Sequence, residues 1–422
     1  MKSAFLIAAV SSGCGKTTLS LGLMRAIARK HISVQPFKCG PDYIDTQFQS
    51  IAAERESINL DLFMSSASHV RALFSHYSKG SDVSIVEGVM GMFDGFDKMK
   101  GSSADIARVL DIPMILLVNA ASTAYSVAAT IYGFTRFCHD VRVAGVIFNR
   151  VASENHFSFL RKACEDVGME CFGYLTKNEA LQTPSRHLGL TLSSREVMDR
   201  FIDMAADEVE KNVDIDSLVE VTSRREFPEE QLDIPVVQNL TVAVARDEAF
   251  NFIYPANLSI FTKIIYFSPL HDQRLPEADL VYLPGGYPEL FAKELSANFE
   301  MRNDIKDFAE QGGHILAECG GLIYLCEDID GEKMCGVFPL KATMEDSKLS
   351  LGYRTIEFSH TTLKGHEFHY SHMIDPSSIP GIASQQNAKG LKVDTPVYKY
   401  KNTIAGYTHL YWAETDILKL WE

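Results

Sequence analysis

Two clusters in this sequence have the residue types and spacing of reaction centres. The first is SSGCGKTT, Ser11 to Thr18. In a glycine-rich turn, backbone N–H groups close around phosphate oxygens with no side chain in the way. Lys16 supplies a cation for the outer phosphates, and the Thr17 hydroxyl suits a magnesium shell. Ser12, Gly13, Gly15, Lys16, Thr17 and Thr18 are thus the expected nucleotide-phosphate set, and the N-terminus of the following helix adds a field that favours anions. Val10 stands where the standard pattern has a further glycine. The second cluster is AECGGLIYL, in which Cys319 ends an apolar run and is followed by Gly320 and Gly321. A sharp strand-to-helix turn of that kind exposes its central side chain as a nucleophile and needs small neighbours. The adjoining helix N-terminus is expected to lower the thiol's pKa. His409, in GYTHLYW, is the candidate base. Backbone N–H groups of Gly285 and Gly286, in LPGGYPE, can join that of Gly320 as an oxyanion hole.

These groups need a scaffold that presents them at strand ends. Apolar runs alternate with helix-length segments through the first half: AFLIAAV, VQPFK from Val34, VSIVE from Val83, MILLVN from Met114, AGVIFN from Ala144 and MECFGYL from Met169. Near-continuous apolar strands between helices predict a mostly parallel sheet covered on both faces, with ligands at the carboxyl ends of the strands. Lys38 and Glu87 stand at such ends. Asp42 and Asp45 fall in the loop of GPDYID, and Asp94 in the glycine-rich loop of GVMGMFDG. Acidic groups there can hold Mg²⁺ bridging ATP phosphates. Turn formation and helix capping are the alternative for Asp42. Asn149 reads either as a contact to an adenine edge or as a turn cap. A second αβ pattern begins near Leu240 with LTVAVAR, KIIYFS and DLVYL. The expected organisation is residues 1–200 as a phosphate-loop domain, 201–238 as a solvated acidic connector, and 239–422 as a second domain.

Composition narrows the field. A chain of 422 residues holds two or three domains. The net charge of −15 argues against general nucleic-acid binding and against anionic membranes, while an acidic small-molecule substrate would need a local basic pocket. The apolar stretch from Ile112 is broken by Pro113 and Asn119 and reads as a strand followed by a helix, not a membrane span. The eight cysteines include no CxxC pair, so zinc and thioredoxin-like chemistry are not expected and a cytoplasmic setting is. GHEFHYSH lacks zinc-peptidase spacing, because His366 and His369 are only three apart.

SSGCGKTT, PFKCGPDYID, VEGVMGMFDG, GVIFNRV and PSRHLGL together resemble the N-terminal domain of cobyrinic acid a,c-diamide synthases, which is similar to dethiobiotin synthetase and belongs to the deviant phosphate-loop group. ARDEAFNFIYP, LPGGYPEL, AECGGLIYL and GHEFHYSHM resemble the cobyrinate-type glutamine amidotransferase domain. The resemblance implies ATP-dependent activation of carboxylates and glutamine as nitrogen donor. It places Lys16, Thr17, Asp45 and Glu87 around Mg-ATP, Lys38 and Asp94 near the reacting carboxylate, and Cys319 with His409 at the glutaminase centre; Asp42, in its loop on the phosphate side, is a further substrate candidate. The expected acceptor is a corrinoid polycarboxylate amidated at a and c; nickel-sirohydrochlorin is the alternative macrocycle, and a protein that only senses glutamine and nucleotide is a further alternative. Lys38, Arg186 and His187 are the candidates for a basic pocket around those carboxylates. Ordinary class I amidotransferases carry His-x-Glu, but Tyr411 stands two residues after His409, which leaves Glu414 as the candidate third member. Assembly state, a homodimer included, is left open.

Overall fold

The structure, a computed structural model, describes residues 2–181, 192–224 and 229–422. Arg186, His187 and the PSRHLGL stretch lie outside the described residues. The described residues divide into two compact units, one up to residue 233 and the other from residue 234 on.

In the first unit, β1 (Lys2–Ala9), β2 (Val34–Cys39), β3 (Ile58–Leu60), β4 (Val83–Glu87), β5 (Met114–Asn119), β6 (Val143–Val151) and β7 (Cys171–Thr176) form a parallel sheet in the order β3-β2-β4-β1-β5-β6-β7. Ala4 to Ala9 of β1 are wholly buried, as a central strand covered on both faces requires. α1 (Lys16–Arg29) leaves the turn after β1, and α2 (Ile44–Ala53) follows β2. Gly15 caps α1 with φ 97°, a left-handed conformation that glycine adopts without strain; a Cβ there would also meet the Asn149 amide at 2.2 Å. Asp45, expected in a loop, lies in the first turn of α2.

Residues 201–224 of the acidic stretch assigned to a connector are structured instead. α3 (Leu192–Asn212) packs along α1, α4 (Ile215–Val221) follows, and β8 (Ser223–Arg224) adds antiparallel to β1. Phe201, Ile202, Ala205, Ala206 and Val209 of α3 are buried, and a Cβ on Gly22 of α1 would come within 2.7 Å of the Ala205 carbonyl oxygen. The acids that resemble a solvated face are counter-ions. Asp199 and Asp203 bind Arg25, while Asp203, Asp207 and Glu210 bind Arg29. Such half-exposed pairs contribute at most about 1 kcal/mol each, so apolar packing carries this contact.

The second unit holds two sheets that matter for the chemistry. In one, β9 (Val237–Ala245), β10 (Phe261–Phe267), β11 (Leu280–Leu283) and β12 (His314–Glu318) are parallel in the order β10-β9-β11-β12. The other is antiparallel and contains β13 (Ser350–Glu357), β14 (Thr362–His369), β15 (Ser384–Asn387) and β16 (Lys392–Val393). Strands β17 (Val397–Tyr400) and β18 (Thr403–Gly406) complete the first sheet beside β12. The chain then crosses, and β19 (His409–Tyr411) pairs with β14 at the edge of the second. Among the described residues no helix is long and apolar enough to cross a membrane.

Gly22→Leu should push α3 off α1 and cost about 1–3 kcal/mol in urea denaturation, whereas Asp207→Ala should change stability by less than about 1 kcal/mol.

Candidate functional site

At the carboxyl end of the first sheet lies a cavity of about 730 Å³. Ser12, Gly13, Gly15, Lys16, Thr17, Thr18, Lys38, Asp42, Asp45, Glu87 and Asn149, all singled out from sequence, line it, together with Arg150, which sequence reasoning missed. Strand register explains its centre: Lys38 of β2 lies opposite Glu87 of β4. The Lys38 ammonium donates to Glu87 Oε1 at 2.8 Å and to Asp45 Oδ2 at 2.7 Å, with all three side chains almost fully buried. Burial pulls the lysine down, but Asp45 and Glu87 outweigh it and hold the ammonium above its ordinary pKa. Thr17 donates to Glu87 Oε1 at 2.9 Å, and Gln49 donates to Oε2 at 2.7 Å. Lys16 donates to the carbonyls of Met90 and Ser11, and burial beside Lys38 lowers its pKa against the pull of Glu87.

Two carboxylates thus converge on one buried cation, and the Thr17 hydroxyl joins them through Glu87. These are hard oxygen donors, and one or two carboxylates plus phosphate oxygens and water are what magnesium takes, so the set fits Mg²⁺. Asp42 accepts from the Ile44 and Asp45 N–H groups and secures the first turn of α2 while facing the cavity. The Asn149 amide donates to the Cys14 carbonyl at 2.7 Å, and its oxygen accepts from Arg150 N–H. It therefore braces the phosphate loop. Asp94 does not join the cluster. It is exposed, is absent from the cavity lining, and accepts from Gly91 N–H within its own turn.

The second unit has its centre at Cys319, which follows β12 and caps the short helix Gly320–Leu325 with φ 48° and ψ −103°. A non-glycine residue held there is strained, as a nucleophile elbow is. The elbow tolerates no bulk: a Cβ on Gly321 would fall 2.1 Å from the Leu283 carbonyl oxygen, and one on Gly320 would meet Gly286 N at 3.0 Å. On the other side a Cβ on Gly285 would strike His409 Cε1 at 2.1 Å. The Gly285-Gly286 turn is therefore packed against both the histidine ring and the residue after the cysteine. The Asn251 and Phe252 N–H groups hold that turn through the Gly285 carbonyl.

The expected thiol activation is not what the structure has. Burial, then Glu289, raise the Cys319 pKa, and Glu367 and Glu318 add to this; the Gly320 N–H opposes them without prevailing. Burial, with His366 and His369 nearby, holds His409 well below its ordinary pKa, so its imidazole is neutral at neutral pH. Glu414 is exposed, whereas Glu318 is buried: it accepts from Leu410 N–H at 2.9 Å and from the Tyr282 hydroxyl at 2.7 Å, and burial lifts it to about 8. Glu367 is also buried, between Arg354 and His369. No spacing rule pointed to Glu318, Tyr282, Arg354 or Gln49; the position of Glu318, directly before the candidate nucleophile, was the one signal the sequence held.

Residues 5–190 match the CobQ/CobB/MinD/ParA nucleotide binding domain, and residues 241–417 match the CobB/CobQ-like glutamine amidotransferase domain. The chain is 39% identical to the cobyrinate a,c-diamide synthase of Caldanaerobacter subterraneus subsp. tengcongensis, across 96% of this chain and 94% of that one. It is 38% identical to that of Picrophilus torridus (97% and 95% covered) and 36% identical to that of Salmonella typhimurium (99% and 97% covered).

Lys38→Ala would leave two buried carboxylates without their cation, and urea denaturation should register a loss of about 3–5 kcal/mol. Glu318→Gln should gain stability over wild type as pH rises. The folded carboxyl keeps its proton to about pH 8, while the unfolded chain releases it near 4.5. Wild-type stability therefore falls across that window by about 1.4 kcal/mol per pH unit from this group, and the amide has nothing to titrate. Urea midpoints of both proteins measured between about pH 5 and 8.5 check the divergence.

Proposed function

This chain belongs to the cobyrinate a,c-diamide synthase family, and on that premise we propose that it amidates the a and c side-chain carboxylates of cobyrinic acid with ATP and glutamine. The observation that carries the reading is one chain holding both a phosphate cavity with a buried Lys38–Asp45–Glu87 cluster and a strained cysteine elbow braced with a histidine.

In the first unit, the phosphate-loop N–H groups and Lys16 would hold the ATP phosphates, and Thr17, Asp45 and Glu87 would hold Mg²⁺, which would supply charge to neutralise them. A substrate carboxylate oxygen attacks the γ-phosphorus, ADP leaves, and an acyl phosphate forms. Lys38 is the cation available to draw the incoming carboxylate, once its present partners are engaged elsewhere. Ammonia then attacks the acyl carbon and phosphate departs, leaving the amide.

In the second unit, the raised pKa of Cys319 keeps the resting thiol protonated, and neutral His409 is fit to take that proton as sulfur attacks the glutamine amide. N–H groups of Gly286 and Gly320, beside each other at the elbow, suit the oxyanion. The imidazolium gives its proton to the leaving ammonia, and water cleaves the glutamyl thioester to glutamate.

The test is purified protein with ATP, Mg²⁺ and glutamine on cobyrinic acid or on nickel-sirohydrochlorin, with products read by mass spectrometry. Two successive replacements of hydroxyl by amino on cobyrinic acid alone support the reading; turnover of the nickel macrocycle alone overturns the substrate. Cys319→Ala should lose glutamine-driven turnover by about 10³-fold or more and keep ammonia-driven turnover; loss of both would overturn the separation of the two centres.

A further inference from the structure

The candidate nucleophile and the candidate base stand on different sheets. Cys319 leaves the end of β12, and its N–H donates to Gly406 at the end of β18. His409 opens β19, which pairs with β14 at the edge of the second sheet, where His409 faces His366. Tyr407 and Thr408 alone join β18 to β19, and strand pairing does not fix one centre against the other.

The far edge of β19 is held by side chains in place of a strand. The Leu410 carbonyl accepts from the Asn257 amide at 2.8 Å, and Asn257 in turn accepts from Trp412 N–H at 2.8 Å. The Leu410 N–H donates to Glu318 Oε1 at 2.9 Å. Glu318 Oε2 accepts from the Tyr282 hydroxyl at 2.7 Å, and Tyr282 stands on the adjacent strand β11. Both Glu318 and Asn257 are almost wholly buried. A single carboxyl thus joins β11, β12 and β19, and it does so one residue from the nucleophile at one end and one residue from the base at the other.

We propose that Glu318 is a positioning residue that sets the approach of His409 to Cys319 through the Leu410 N–H, with Tyr282 holding the carboxyl in place. The inference rests on the assignment of Cys319 and His409 to glutamine hydrolysis. Its role is geometric. At neutral pH the buried group is largely the neutral acid, and a glutamine side chain keeps both contacts: the amide oxygen accepts from Leu410 N–H, and the amide nitrogen donates to the Tyr282 oxygen, which reverses that bond. A general base needs its partner within hydrogen-bond reach, and an ångström of misplacement costs roughly 10²-fold in rate.

The experiment uses the full chain and compares glutamine-driven with ammonia-driven amidation. Glu318→Ala should lower glutamine-driven kcat by roughly 10²-fold, leave KM for glutamine within about threefold, and leave ammonia-driven turnover within about twofold. Glu318→Gln should restore most of kcat, and Tyr282→Phe should fall between the two. Wild-type kcat in Glu318→Ala overturns the proposal. So does a Glu318→Gln variant as slow as Glu318→Ala, which would make an ionisable carboxyl the requirement, and so does a rise in KM at constant kcat, which would mark a substrate contact. If Glu318→Ala does not fold, Glu318→Asp, one methylene short of Leu410, is held to the same criteria. Wild type that hydrolyses no glutamine, or Cys319→Ala that still does, overturns the underlying assignment and is seen before any Glu318 variant is measured.

Discussion

Charge taken out of water must be paired, and that constraint shapes both centres of this protein. Lys38, Glu87 and Cys319 stand where buried parallel strands end, and there the sheet can no longer supply partners. In the first unit the answer is an ammonium between two carboxylates, Lys38 with Asp45 and Glu87, tightened by Thr17 and Gln49. Removing one partner of such a cluster strands the others in a low dielectric, which is far costlier than the net gain from forming it.

For Cys319, His409 and Glu318 in the second unit the answer is neutrality in place of pairing. Burial keeps Cys319 a thiol, His409 a neutral imidazole and Glu318 largely an acid at neutral pH. A resting thiol is a poor nucleophile and resists adventitious chemistry; a neutral imidazole is the form that can accept its proton. The arrangement requires backbone strain at Cys319 and glycines at Gly285, Gly320 and Gly321, where any Cβ would collide with the elbow or the base.

The acidic stretch after residue 200 shows where one-dimensional reading stops. Its carboxylates look solvated because their partners, Arg25 and Arg29, lie 174 to 181 residues earlier on α1. Its apolar residues are spaced along one face of α3, but alanines that fit a close helix contact carry little hydrophobic signal of their own. Glu318 was missed for a related reason: its partners, Leu410 and Tyr282, come from two other strands, and one of its bonds is to backbone, which leaves no trace in residue type.

Legible from sequence were the local devices: the phosphate loop before α1, the buried parallel strands, and the cysteine elbow with its two glycines. Each depends on residues within a few positions of one another, where glycine conformation, strand burial and helix geometry are set by neighbours in the chain. Tertiary structure alone decided which charges meet, because register brings Lys38 to Glu87 across strands and folding brings Asp45 beside them while leaving Asp94 in its own exposed turn. It also decided protonation. Whether a helix N-terminus or desolvation governs Cys319 depends on everything packed around the sulfur, and in this fold the packing lets desolvation win.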